Sequence, residues 1–234
     1  MKLRLMICTA AASTALFAAD VESATYGVLA VSDTTTTNTV VGVPWVNVGE
    51  GNVTLSNLVS TATLAENDMV YFYEGNTWYS YKVQSGVFVP VTTVNGENVT
   101  PPSAADVKAF ARGTGLIVQR VNTTNPIYLC GRYDSTSPSA TSVSAGSTAL
   151  IANPKTVEVK ITVGNVGDQI SVPGNGGTMN TYEKRSDGWY GTVTDNSLGF
   201  PITRKVKLDE GVPLAAGKGA FYVNKGESAV TINW

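Results

Sequence analysis

The chain has 234 residues, of which 15% are charged, with a net charge of −2 and no histidine. Near neutrality removes the electrostatic case for a nucleic-acid partner, which needs clustered Lys and Arg to displace counterions, and for a polybasic membrane patch. The lack of histidine removes Ser-His-Asp and Cys-His nucleophiles, histidine-ligated zinc and most acid–base schemes near neutral pH, leaving carboxylate pairs or a lysine.

Residues 1–24 carry Lys2 and Arg4, an apolar core and small residues at its end, the layout of a secretory signal peptide. The core, about fifteen residues, is shorter than the roughly twenty that span a membrane. Cleavage rather than anchoring is therefore expected, with no transmembrane helix afterwards and an extracellular, cell-surface or periplasmic location. The mature chain keeps one cysteine, Cys130, in an apolar run. It forms no intrachain disulfide, so a large core has to replace stapling.

Thr, Ser, Val, Gly and Asn dominate the rest, a composition that favours strands and turns. Residues 25–31 read as a first strand, and residues 39–48 as an edge or bulged strand, because Pro44 donates nothing to a ladder. Residues 53–64 alternate apolar and polar. Then DMVYFYEGNTWYSYKVQSGVFVPV, from Asp68, sets three aromatic and β-branched runs between turn formers, a β-meander pattern. Ser103 with Asp106 three residues on suggests a short helix start. Residues 135–146, rich in Ser, Thr, Ala and Pro, read as a linker. Beyond it, residues 148–151 and the alternation of Val157, Val159, Ile161 and Val163 read as strands.

The meander occurs twice, at residues 68–131 and, with drift, at 168–234. Asp68 pairs with Asp168, Tyr81 with Tyr182, Gly86 with Gly188, and Val87 and Phe88 with Trp189 and Tyr190, at offsets of 100 to 102. Residues 111–118 lie against 215–222 at a constant offset of 104, aligning Gly113 and Gly115 with Gly217 and Gly219. The expected fold is all-β with little helix: two tandem related antiparallel units of sandwich or small-barrel type, at residues 25–134 and 147–234.

On Trp78, Tyr81, Gly113 and Gly115, and on Tyr182, Trp189, Gly217 and Gly219, the chain resembles the uncharacterised β-rich modules of secreted bacterial proteins. In these an aromatic strand with Trp-x-x-Tyr precedes Gly-x-Gly and a second aromatic strand. The first copy departs at Leu116, where an aromatic is usual. The resemblance implies a secreted or surface module and no activity.

Chemically, the acids are scattered: Asp209 and Glu210 are adjacent and Asp187 sits in a turn, where Asp is favoured for its conformation. A paired-carboxylate glycoside hydrolase is thus a minor reading. No acidic loop has calcium spacing, and both Gly-x-Gly motifs precede strands, so they read as sheet corners rather than phosphate cradles. No cofactor or metal is expected. The strand aromatics Tyr79, Tyr81, Trp189 and Tyr190 are the candidate ligand-binding residues, for stacking on sugar rings, against their ordinary role as core. The expected function is a non-catalytic secreted or cell-surface structural or adhesive protein that self-associates or joins the cell envelope. The alternative is a carbohydrate-binding module. An outer-membrane barrel ending in the strand of Val230, Ile232 and Trp234 ranks below both; Trp234 reads instead as a plug for the second core.

Overall fold

The computed structural model describes residues 26–31, 38–43, 53–74, 77–95, 97–121, 125–132, 140–155, 157–174, 178–195 and 202–234. The signal-peptide reading of residues 1–24, the Pro44 position and the sequence around Trp45 lie outside them. The first half contains β1 (Tyr26–Val31), β2 (Asn38–Gly42), β3 (Val53–Thr54), α1 (Leu55–Leu58), a 3-10 turn (Thr61–Thr63), β4 (Met69–Glu74), β5 (Thr77–Gln84), β6 (Val87–Pro90), β7 (Thr93–Val94), β8 (Glu97–Asn98), β9 (Ala109–Phe110), β10 (Gly115–Gln119) and β11 (Ile127–Arg132). The second contains β12 (Ala140–Val143), β13 (Thr148–Ala152), β14 (Val159–Ile161), β15 (Gln169–Pro173), β16 (Met179–Arg185), β17 (Gly188–Asp195), β18 (Ile202–Leu208), β19 (Val212–Leu214), β20 (Gly219–Val223) and β21 (Val230–Asn233). Strands make up 58% of the structure and helix 4%, with antiparallel sheets and no closed barrel among the described residues, which settles the all-β class.

The main sheet of the first half has the order β2-β10-β4-β5-β6, and that of the second β13-β20-β15-β16-β17-β18. In chain order the two run in parallel until β18. Each half adds a pair made by its first and last strands, β1-β11 or β12-β21, and a short pair, β3-β9 or β14-β19. Alternation explains the cores. Val70 and Phe72 on β4 and Tyr81 and Val83 on β5 point inward, onto Leu55, Leu58, Phe110, Leu116 and Val118. The second core gathers Ile151, Ile161, Ile170, Trp189, Leu214, Tyr222 and Ile232. Each such side chain contributes about 1.5–3 kcal/mol on burial.

Four sequence expectations change. The alternation read over residues 53–64 does not hold throughout: Leu55 and Leu58, three apart and both fully buried, form one face of α1. Ser103 starts no helix; the Val107 and Lys108 amides both donate to the Ala104 carbonyl in a single turn. Of the expected linker 135–146, Ala140–Val143 is strand, paired with β21 in register, where the Thr and Val take up their β preference. The hairpin equivalence shifts by one residue. Val83 faces Phe88 and Lys184 faces Trp189, so Phe88 matches Trp189 and Gly86 matches Asp187.

The halves meet through an exchange. The Gly42 amide at the end of β2 donates to the Gly217 carbonyl at 2.9 Å, and the Ala152 amide at the end of β13 donates to the Gly113 carbonyl at 2.9 Å. Val41 bridges Lys218 as Ile151 bridges Thr114. Glycine is required for this approach: a Cβ on Gly219 would lie 2.6 Å from Val40 Cγ1, and one on Gly115 2.7 Å from Leu150 Cγ. Val40 and Leu150 are buried yet belong to neither core. Each half thus inserts one apolar side chain over the other's second glycine, in the form of an isologous interface.

Candidate functional site

Two buried aspartates precede β4 and β15, and each is held by backbone amides. Asp68 and Asp168 are fully buried. Asp68 Oδ2 accepts the Ala65 amide at 2.8 Å and Oδ1 the Val121 amide at 2.6 Å. Asp168 Oδ2 accepts the Asn165 amide and the Tyr222 hydroxyl, both at 2.7 Å, and Oδ1 the Lys225 amide at 2.8 Å. Each carboxylate thereby ties the entry of one strand to the exit of its neighbour, β10 or β20. Burial, then the bond to Asp168, pushes the Tyr222 hydroxyl up in pKa, keeping it a donor. Amide bonds to a buried carboxylate are among the stronger hydrogen bonds, and here they are used for framework.

Beside these clamps lies a second matched pair of buried polar groups. Arg120 Nη1 donates to the Asn125 carbonyl at 2.5 Å, and Asn224 Nδ2 to the Ser228 carbonyl at 2.9 Å. Both secure the loop that follows the clamped strand. Cys130, on β11, is free, and burial pushes its thiol up, which lowers its thiolate fraction.

The four aromatics singled out by sequence lie in two different sheets. Tyr81 is fully buried, its hydroxyl donates to the Ser103 carbonyl at 2.7 Å, and burial with help from Glu74 pushes its pKa up to about 12. Trp189 is equally buried, edge-on to Tyr222 at 6.3 Å. Burial takes both off any surface on which a sugar could stack. Tyr79 is half-buried and stacks on Phe72 at 5.2 Å, beside a shallow cleft with Glu74, Lys108 and Pro101. Within it Lys108 Nζ lies 2.6 Å from Glu74 and 4.9 Å from the centre of the Phe72 ring. Tyr190 is half-buried; its hydroxyl donates to Asp187 Oδ2 at 2.9 Å and the Arg185 guanidinium lies over its ring at 4.5 Å. The Tyr190 hydrogen bond, then Lys207 at 3.2 Å, holds the Asp187 carboxyl below its usual range.

The aromatic surface lies instead on the opposite face of β5. Trp78, 49% exposed, stands across from Tyr73 of β4 with ring centres 5.1 Å apart. Phe221 of β20 comes within 6.4 Å of the Trp78 ring from the other half. With Thr148 and Leu150 these rings line an open cleft of about 220 Å3 at the junction of the halves. By strand register the counterparts of Tyr73 and Trp78 are Pro173 and Met179, which also pair with each other. The aromatic cleft therefore has no aromatic twin. Three rings and a hydroxyl suit a ring-shaped ligand with a polar rim. The sequence signal available for it was the alternation that sets Trp78 opposite Tyr79 and Tyr81.

Among the described residues no three Cys, Asp or Glu side chains converge as a metal would need, and no helix is long and apolar enough to cross a membrane. Compared with known proteins, the chain matches no family model, no curated protein and no solved structure.

Proposed function

We propose that the chain is an exported, internally duplicated, non-catalytic β-protein that works at the cell surface or outside the cell by structure and adhesion, through contacts with its own copies or the envelope. The observation that carries this is the use made of the reactive groups. Asp68 and Asp168 hold five donors between them as structural clamps, and the buried tyrosines are kept neutral. Duplication is supported by the matched strand orders and by the same clamp appearing at an offset of 100 at Asp68 and Asp168. Export is supported by the charged start, short apolar core and small residues of 1–24.

The test is to recover the secreted protein, sequence its N-terminus and examine it by electron microscopy and sizing. A start between about residues 19 and 25 together with a filament, layer, envelope-bound or oligomeric form is expected. An intact Met1, or a monomer that turns over a polysaccharide, contradicts the proposal. The Trp78 cleft favours one second reading, glycan recognition. Glycan-array binding that Trp78→Ala abolishes and Tyr190→Ala leaves intact would support it; equal binding by both variants removes it.

A further inference from the structure

The two main sheets differ at one edge, and that difference locates an assembly surface. In the second half Trp189 of β17 stands in register with Leu208 of β18. Its counterpart Phe88 lies on β6, the last strand of the five-stranded order, with β5 on one side only among the described residues. The chain that becomes β18 in the second half is replaced in the first by the hairpin of β7 and β8, which pairs with itself.

Backbone direction on β6 follows from bonds one strand inward. The Val83 amide donates to the Asp68 carbonyl at 2.8 Å and the Val83 carbonyl accepts the Asn67 amide at 3.0 Å, so both groups point away from β6. In an antiparallel ladder its partner Phe88 then turns its own N–H and C=O to the open side. Lys184 is bonded to Asp168 in the same way, and the outward groups of Trp189 are those that β18 meets. Pro90, two residues beyond Phe88, turns its missing N–H to the open side, so a strand added there meets the Phe88 donor and none at Pro90.

Two strands end these sheets on their far sides, and they are guarded differently. β18 carries Arg204, Lys205 and Lys207, the lysines 3.9 Å from Glu183 and 3.2 Å from Asp187; charges of this kind blunt an edge. β6 is Val-Phe-Val-Pro, without a charge, with Val87 58% exposed. An open cleft of about 390 Å3 runs beside Val87 and Phe88, bounded by Ser56, Thr61, Ala105 and Asp106.

We propose that β6 is the site where a second copy of this chain pairs, β6 antiparallel to β6 across a two-fold axis, with Phe88 of each copy donating to and accepting from Phe88 of the other. Two five-stranded sheets become one of ten strands, and the position that β18 fills internally is filled by the neighbour. A two-fold pairing closes on itself, so the product is a dimer. This rests on the reading that the protein acts by self-association and names the surface.

The test is sedimentation of the mature protein over a range of concentrations, wild type against Val87→Lys and, as a control on the other edge, Lys205→Thr, with amide exchange at Phe88. Expected are a wild-type dimer, slower Phe88 exchange as concentration rises, more than about tenfold weaker association for Val87→Lys because each lysine is set against the apolar Val89 of the other copy and the two like charges become diagonal neighbours on one face, and no change for Lys205→Thr. Val87 is exposed, so an unchanged melting temperature verifies that the variant is folded; if it melts lower, concentration-independent exchange at the wild-type Phe88 amide overturns the proposal by itself. Val87→Lys that associates like wild type overturns this surface and leaves self-association standing. A wild type that is monomeric throughout overturns both.

Discussion

In the second half the buried carboxylate of Asp168 gains the Tyr222 hydroxyl, while in the first the position of Tyr222 is taken by Val118, which has no donor to offer Asp68. The residue two places on is Arg120 in one and Asn224 in the other, yet each reaches the carbonyl that closes the next loop. The backbone partners of the aspartates stay the same while the side chains around them change. What the fold demands is the pair of amides held at one carboxylate; the chemistry that fills the remaining space is free to drift. The same contrast holds at the surface, where one half ends its sheet with a charged sixth strand and the other leaves an apolar edge, and where Tyr73 and Trp78 stand against Pro173 and Met179.

The largest effect expected from breaking this comparison is at the clamps. Asp168→Ala strands three buried donors and Asp68→Ala two, at roughly 1–3 kcal/mol for each. Denaturant unfolding should therefore show Asp168→Ala as the more damaging, by at least about 1 kcal/mol; the reverse order would mean that the clamps are not equivalent. Next come the contact glycines. Gly115→Ala and Gly219→Ala each force a methyl against the other half, Gly115 also meeting the Ile151 carbonyl at 2.9 Å and Gly219 the Val41 carbonyl at 3.2 Å. Both should cost about 1–3 kcal/mol, and a cost confined to one of them would break the reciprocity.

Trp234 sharpens the comparison at the chain end. It packs on the second core, its Nε1 donates to Thr141 Oγ1 at 2.8 Å, and it lies against Gly113 of the first half. Trp234→Phe, which keeps an aromatic ring of smaller size and removes the donor, should lower stability by about 1 kcal/mol or more in thermal melts. A further effect is expected in alkali. Tyr81 has its pKa raised from 10.0 to about 12 in the fold, so it contributes stability that is fully present below pH 10 and is lost as pH rises through 12. Tyr222 is shifted in the same direction. Stability measured from pH 9 to 12 should fall less steeply for Tyr81→Phe than for wild type; identical slopes would contradict the burial argument.

The features that sequence made legible are those fixed by backbone geometry. Asp68 and Asp168 stand out because their replacement strands amides. Gly113 and Gly217 stand out because they hold φ at 83° and 67°, which side chains resist. The clamps themselves were not legible, since Asp68 meets Val121 and Asp168 meets Lys225 only when 53 and 57 residues of chain close into a sheet. The one-residue hairpin slip has a local cause. Gly86 is a turn residue at φ 76°, while Gly188 is the first residue of β17, so identical residues do different jobs. For the aromatics, period-two alternation separates Trp78 from Tyr79 and Tyr81 but does not tell which face is covered. The covered face is set by Leu55, Leu58 and Phe110, which reach it from distant segments, while Phe221 of the other half meets Trp78 on the open face. The short face of Leu55 and Leu58 was likewise hidden, because four residues are too few for a helical period to emerge from an alternating run.

Amide hydrogen exchange of the full chain carrying Asp68→Ala tests most directly the claim that reciprocal glycine contacts bind the halves into one cooperative unit. Faster exchange is predicted both at Val121, in the opened clamp, and at Ala152 and Lys225 in the second half, since the Ala152 amide bonds to Gly113 of the first. Exchange that rises within residues 26–132 while Ala152 and Lys225 stay as slow as in wild type would show two independent halves and contradict the account.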